Sequence, residues 1–169
     1  MSMAHTDDHP LLPCLSKFLA RQMGLHFPPE RWRDLARGMG TATREFRFPD
    51  TASCIQWLLS TPLSRSQIEI LSGHLTVGET YFFREPQVFD ALQTHILPAL
   101  IQSRRQSGQH LRIWSAGCAS GEEAYSLAIL VQRMIPDFRQ WNITILGTDI
   151  NPHSLQKAAA GIYGDWSFR

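Results

Sequence analysis

The pattern that most constrains this chain begins at Leu111. Residues 111–116 are a short apolar run with the length of a buried strand. They lead directly into Gly117-Cys118-Ala119-Ser120-Gly121, a turn containing two glycines. An apolar-rich segment of helical length follows over 122–135 and is stopped by Pro136. Residues 142–147 repeat the strand signal and end in Thr148-Asp149. Asn151-Pro152 then opens another helix, a capping residue followed by proline at the first helical position, and Gly161 can close it. Strand–helix–strand–helix is the beginning of a doubly wound parallel sheet. Two strands are fewer than an open sheet normally has, so the pattern reads as the front part of a longer α/β protein.

Before residue 110 no strand signal of any strength is present, and the punctuation is helical. Residues 1–10 read as a disordered tail. Residues 11–23 place Leu11, Leu15, Phe18 and Leu19 on one helical face, with Gly24 suited to the end. Pro28-Pro29 precedes a second helix expected to run to about Gly38, with Trp32, Leu35, Ala36 and Met39 facing inward. Asp50 or Thr51 caps a third helix carrying Ile55, Leu58 and Leu59. Ser64-Arg65-Ser66-Gln67 fits a capping box for a fourth, with Ile68, Leu71 and Leu75 as its buried stripe. Residues 76–84 read as a loop. Glu85-Pro86 starts a helix with Phe89, Leu92 and Ile96 on one face, and Pro98 kinks or restarts it. The expected organisation is a tail over 1–10, a helical domain and its loop over 11–84, a connecting helix over 85–107, and the start of an α/β domain over 108–169.

Composition narrows the classes of function. A net charge of +1 over 169 residues offers no bulk field for nucleic acid or membranes, so neither is expected as a partner. No apolar run approaches the roughly 18 residues of a membrane span. The three cysteines, Cys14, Cys54 and Cys118, form neither zinc spacing nor a disulfide framework, and the seven histidines are scattered. No metal is expected, and a reducing cytoplasm is the simplest compartment.

Ligands of open α/β sheets bind outside the carboxyl ends of the strands. Two features fall there. The turn carrying Gly117 and Gly121 lets backbone approach a ligand, and Asp149 at the end of the second strand can accept ribose hydroxyls. Each has a plainer reading, a tight corner and a helix cap. Glu122 and Glu123 open the helix after the turn, where acids are favoured by the helix dipole alone. Two carboxylates would repel a pyrophosphate but suit a ligand carrying positive charge. That favours a sulfonium amino acid over a dinucleotide. Upstream, Val77-Gly78-Glu79-Thr80-Tyr81-Phe82-Phe83-Arg84 sets Thr80 and Arg84 around two aromatic rings. Thr80 is a local backbone partner or a ligand contact, and Arg84 pairs with Glu79 or Glu85 or binds an anion. Phe82 and Phe83 read as core anchors. Arg33 and Arg37 share the outer face of the second helix, as a solvated face or a docking surface.

These stretches, with Gly147-Thr148-Asp149-Ile150 and Ala160-Gly161-Ile162-Tyr163 behind them, resemble CheR-type chemotaxis receptor methyltransferases from about residue 11 to the chain end. The resemblance implies a small helical N-terminal domain and a Rossmann-like S-adenosylmethionine-binding α/β domain, present here in part. It implies methyl transfer to glutamate side chains of chemoreceptor cytoplasmic helices, with S-adenosylhomocysteine as product. By position it implies Arg84 at the reaction centre. Thr80, Gly78, Gly117, Gly121, Glu123 and Asp149 would lie at the cofactor, with Glu123 on the methionyl end and Asp149 on the ribose. Arg33 and Arg37 would face the receptor. The family has Asn where this chain has Gly78, a departure that bears on one cofactor hydrogen bond. Two other readings compete: a non-catalytic docking module derived from that family, and a methyltransferase for small molecules. The helical front domain and the Phe-Phe-Arg loop speak against the last.

Overall fold

The computed structural model describes residues 10–169. The expected tail lies almost wholly outside the described residues. The chain divides into two compact units, Met1–Val77 and Gly78–Arg169.

The first unit is helical. Helix α1 (Leu12–Met23) ends on Gly24 in the left-handed conformation. A 3-10 turn (Pro29–Arg31) leads into α2 (Trp32–Glu45), followed by α3 (Thr51–Leu59) and α4 (Arg65–Leu75). The caps are those the sequence predicts. Asp50 accepts from the Ser53 amide at 2.8 Å. Ser64 and Gln67 form the reciprocal box, with the Ser64 amide on Gln67 Oε1 at 2.7 Å. Leu15, Leu19, Leu35, Met39, Ile55, Leu58 and Leu71 form a fully buried core.

One boundary differs. Helix α2 runs through Gly38 and continues to Glu45. Gly38 does not end the helix but lets α4 come close. A Cβ there would sit 2.6 Å from Leu75 Cδ2 and 2.7 Å from the His74 carbonyl oxygen. Close packing, rather than chain termination, is why this position has no side chain.

The second unit begins with the loop at Gly78. Helix α5 (Pro86–Ala91) passes through a π turn (Leu92–Ile96) into α6 (Leu97–Arg105). Pro98 has no amide to give residue 94, and its ring crowds that carbonyl. The wider turn just before it takes up the conflict and adds one residue to the helical repeat. The expected stripe therefore slips by one. Ile96 is 49 % exposed, while Leu97 and Ile101 are buried with Phe89.

Strands β1 (His110–Ala116) and β2 (Asn142–Thr148) are parallel, with His110 opposite Asn142 and Ala116 opposite Thr148. They are joined through α7 (Glu122–Met134), and α8 (Pro152–Ala160) follows, capped by Asn151 and ended by left-handed Gly161. Leu127, Leu130 and Val131 of α7 pack with Leu111, Ile113, Ile143 and Ile145. The expectation of a buried first strand holds on this face alone. Trp114 and Leu146, opposite one another in the register, are exposed on the other face. A last 3-10 turn (Asp165–Phe168) returns to the loop after Gly78: the Phe82 ring stacks on Phe168 at 4.7 Å, and the Phe82 amide donates to the Ser167 carbonyl at 2.8 Å. Among the described residues, no helix is long and apolar enough to cross a membrane.

Candidate active site

The turn after β1 is held by the end of β2. The amides of Gly117 and Cys118 both donate to the Thr148 carbonyl, at 2.7 and 2.9 Å. The Ala119 amide donates to Asp149 Oδ2 at 2.8 Å, and the Gly121 amide to the Cys118 carbonyl at 2.8 Å. Gly117, Ala119 and Gly121 take positive φ, at 76°, 45° and 96°. A phosphate-binding turn aims free amides at its anion, and here four of the turn's amides are already spent on the protein. The geometry agrees with the charge of Glu122 and Glu123 in disfavouring a pyrophosphate.

The two adjacent carboxylates have separate surroundings. Glu122 is 3 % exposed, accepting from Ser120 Oγ at 2.8 Å and Ser167 Oγ at 2.9 Å. It ties the last 3-10 turn to the start of α7. Glu123 accepts from Ser115 Oγ of β1 at 2.6 Å and faces a cavity of about 340 Å³. Thr80, Arg84, Trp114 and Gly117 share that cavity with it.

Four of the sequence-selected residues, Thr80, Arg84, Gly117 and Glu123, thus meet around one space. The others do not line it. Asp149 lies behind the turn, with Oδ2 on the Ala119 amide and Oδ1 on the Asn151 amide at 2.8 Å. A carboxylate has about four lone-pair sites, and these two bonds use one on each oxygen. Gly121 packs against α8: a Cβ there would meet Ala158 Cβ at 2.8 Å and Tyr163 Oη at 2.9 Å. Gly78 lies against the turn, 3.2 Å from Ala119 Cβ by the same measure, and lines a neighbouring cavity of about 260 Å³ with Ser120 and Lys157. Arg33 and Arg37 belong to the first unit and are exposed on α2, where Arg37 pairs with Asp34 Oδ1 at 2.7 Å.

Arg84 is held by one residue. Its Nη1 donates to the Glu79 carbonyl at 2.5 Å and its Nη2 to Glu79 Oε2 at 3.4 Å. Of the partners the sequence allows, Glu79 is taken. The chain reaches this geometry through Phe83, at φ 55°, whose amide donates to Ser126 Oγ at 3.0 Å and whose ring packs edge-on to Phe89. Ser115, Ser126 and Ser167 were not selected from sequence. The available signal was Ser126, a hydroxyl on the inner face of an apolar helix, one turn beyond Glu122.

Burial raises the Cys118 thiol above its usual range, and the Asp149 carboxylate adds to that, so the group stays protonated at neutral pH. Burial, with Glu122 and Tyr125 nearby, pushes the Tyr163 hydroxyl up to about 12. It remains a donor to the Ser120 carbonyl at 2.7 Å. Among the described residues, no group of three or more His, Cys, Asp or Glu could hold a metal ion.

A cavity of this size is in the range of small-ligand sites. Three of its lining residues, Glu79, Glu85 and Glu123, are acids and one, Arg84, is basic. Gly117, where an added Cβ would meet nothing within 4 Å, leaves room for a ligand against the backbone. This donor set fits a nucleoside amino acid bearing positive charge. Fold and site together define the strand–helix–strand start of a Rossmann-like α/β domain with a small-ligand cavity beside the turn after β1. The family model described as CheR methyltransferase, SAM binding domain, matches residues 78–168. The chain belongs to that family, and the matched region is its S-adenosylmethionine-binding domain.

Relatives agree. The chain is 40 % identical over 108 residues to a probable chemotaxis protein methyltransferase of Rhizobium etli, covering 64 % of this chain and 40 % of that protein. It is 39 % identical over 100 residues to chemotaxis protein methyltransferase 2 of Vibrio cholerae, covering 59 % and 34 %. It is 40 % identical over 99 residues to a chemotaxis protein methyltransferase of Borreliella burgdorferi, covering 57 % and 35 %. The matched stretch is therefore well under half the length of each of these relatives.

Proposed function

We propose that this chain acts in the cytoplasm as a protein-glutamate O-methyltransferase on chemoreceptor cytoplasmic helices. The observation that carries the reading is the pairing of opposite charges around one cavity. Glu123 offers a carboxylate to a cationic cofactor, and Arg84 offers a guanidinium to an anionic substrate. The chemotaxis methyltransferase names of the relatives supply the substrate class.

In this reading S-adenosylmethionine, when bound, would supply a sulfonium methyl group for transfer to a carboxylate oxygen, the carbon–sulfur bonding pair going to sulfur. The residues do the positioning. Glu123, fixed by Ser115, takes the ammonium of the methionyl end. Thr80 touches the cofactor, and Gly117 lets it approach the backbone. Asp149 takes the ribose with its spare lone pairs, while Gly78 and Gly121 shape the turn's surroundings. Arg84 orients the substrate carboxylate with its planar fork and keeps it ionised, because a nearby cation favours the charged form. Holding two reactants aligned is worth roughly 7–11 kcal/mol, so no covalent intermediate is required. Arg33 and Arg37 form a basic face for acidic receptor helices.

The test is transfer of labelled methyl from S-adenosylmethionine to a chemoreceptor cytoplasmic fragment, read as base-labile ester. Arg84→Ala is expected to lower transfer by about a hundredfold or more, in line with loss of a positioning and electrostatic group. S-adenosylhomocysteine affinity should stay within about twofold if Arg84 serves the substrate carboxylate, and a larger fall would assign Arg84 to the ligand's own α-carboxylate instead. Undiminished turnover by this variant would remove Arg84 from the reaction centre.

A further inference from the structure

The guanidinium assigned to the substrate carboxylate already holds a carboxylate of the protein. Glu79 Oε2 lies 3.4 Å from Arg84 Nη2, and the Glu79 carbonyl takes Nη1 of the same group. The other oxygen of Glu79, Oε1, lies 3.3 Å from Arg169 Nη2. Arg169 is itself placed by two aromatic rings. Its guanidinium carbon is 4.4 Å from the Tyr81 ring centre and 3.9 Å from that of Trp166. One carboxylate is therefore shared between two cations, and one of those cations faces the cavity.

We infer that Glu79 is a resident stand-in for the substrate carboxylate, which passes from Arg84 to Arg169 when substrate arrives and returns when the ester forms. The inference rests on the proposed role of Arg84. The charges make the exchange balanced. At rest, two guanidiniums share the one Glu79 carboxylate, so an entering carboxylate gives each of them a partner of its own. With substrate bound, each guanidinium holds one carboxylate. Glu79 need not travel into solvent, because Arg169 already grips its second oxygen. Two carboxylates on the same edge of Arg84 repel at this range. Entry of one at the Nη2 edge therefore favours withdrawal of the other.

Methylation removes the charge that made the substrate a competitor. The ester oxygen remains an acceptor but is neutral, and its hydrogen bonds to guanidinium are weaker than those of an anion. Glu79 then regains Arg84. The exchange selects for substrate over product at the residue that orients the reaction. It also explains why the stand-in sits on an exposed loop: Glu79 is 60 % and Arg84 is 42 % accessible. An exposed pair is weak enough for a substrate to displace.

The experiment uses the full chain and a small carboxylate probe, N-acetylglutamate amide, titrated by ligand-observed NMR with and without saturating S-adenosylhomocysteine. Glu79→Gln keeps the side-chain shape and removes the competing charge. It should tighten probe binding by about fivefold, the range of an exposed ion pair, and the gain should shrink in high salt. Arg169→Ala leaves Glu79 with Arg84 alone and should weaken the probe by about twofold. In the Glu79→Gln background the same Arg169→Ala change should leave probe binding unaltered, because no Glu79 charge remains for Arg169 to draw from Arg84. Unchanged or weaker probe binding by Glu79→Gln overturns the exchange, as does absence of probe binding in both proteins. An Arg169 effect that persists without the Glu79 charge overturns it too. Failure of the wild-type chain to bind S-adenosylhomocysteine, with the probe series behaving as described, would instead count against the cofactor reading.

Discussion

Gly117 and Gly121 look alike in the sequence, yet the structure gives them opposite tasks, and a pair of alanine substitutions separates them. At Gly121 (φ 96°) a Cβ would lie 2.8 Å from Ala158 Cβ, 3.1 Å from Ala158 Cα and 2.9 Å from Tyr163 Oη. Left-handed backbone costs an L-residue about 1–2 kcal/mol. Overpacking against a helix adds about 1–3 kcal/mol, and the Ala158 backbone cannot simply rotate away. Gly121→Ala should therefore destabilise the second unit by about 2–5 kcal/mol, a fall of about 10 °C or more in its melting midpoint. At Gly117 (φ 76°) an added Cβ would meet nothing within 4 Å. Gly117→Ala should cost only the backbone strain of about 1–2 kcal/mol, while its methyl projects where a ligand would lie. Calorimetric unfolding and titration with S-adenosylhomocysteine read the two effects apart. The expected pattern is a large stability loss in Gly121→Ala, and in Gly117→Ala an affinity loss of about tenfold or more from lost contact and overlap. A Gly121→Ala protein as stable as wild type, or a Gly117→Ala protein with unaltered affinity, would refute the division.

Asp149→Ala removes the acceptor for the amides of Ala119 and Asn151. It should weaken S-adenosylhomocysteine binding and also destabilise the fold by about 1–3 kcal/mol, and intact affinity would end the ribose assignment. The Tyr163 hydroxyl, pushed up to about 12, is neutral and donating in the folded state, where an unfolded tyrosine ionises near its ordinary value of 10.0. Its stabilising share is fully present below the unfolded value and is lost as pH rises through the folded one. Phenolate absorbance should show one late-titrating tyrosine that is missing in Tyr163→Phe, and no such difference would contradict the hydrogen bond to Ser120. Reversal of Arg33 and Arg37 to Glu should reduce methylation of a receptor fragment while leaving S-adenosylhomocysteine affinity alone. Unaltered receptor affinity would return these residues to a solvated face, which the Arg37–Asp34 pair already serves.

What was legible in the sequence was local. The Ser64–Gln67 box, the Asp50 and Asn151 caps and the closing glycines Gly24 and Gly161 all depend on residues within a few positions of one another, and all form as read. What was not legible depends on partners far along the chain. Gly38 reads as a helix end until α4 is seen to press on it. The Phe89–Leu92–Ile96 stripe assumes an unbroken α repeat, and the π turn before Pro98 replaces Ile96 by Leu97. Glu122 and Glu123 are chemically identical neighbours, and successive residues on a helix face different directions. Which one meets the cavity is decided by Ser115 on β1 and by Ser167, distant in sequence. The positive φ of Phe83 has no sequence signal, since an aromatic residue rarely adopts it.

That backbone strain connects the two halves of the site. Phe83 and Ala119 are both non-glycine residues with positive φ, at 55° and 45°. Such positions cost on the order of 1–3 kcal/mol and persist only where surrounding contacts impose them. At Ala119 the contact is the Asp149 carboxylate, and at Phe83 it is the Ser126 hydroxyl. Ser126 in turn donates to the Glu122 carbonyl at 2.6 Å. One turn of α7 therefore fixes three things at once. It presents Glu123 to the cavity, buries Glu122 against Ser167, and holds the bend that delivers Arg84. A loop free to relax would let Arg84 and Glu123 vary in separation, and in the proposed reaction the alignment of two reactants would be lost with displacements of about an ångström. These two strained residues lie where the chain must be aimed rather than merely connected, and the hydroxyl that holds Phe83 comes from α7, the helix that carries Glu123.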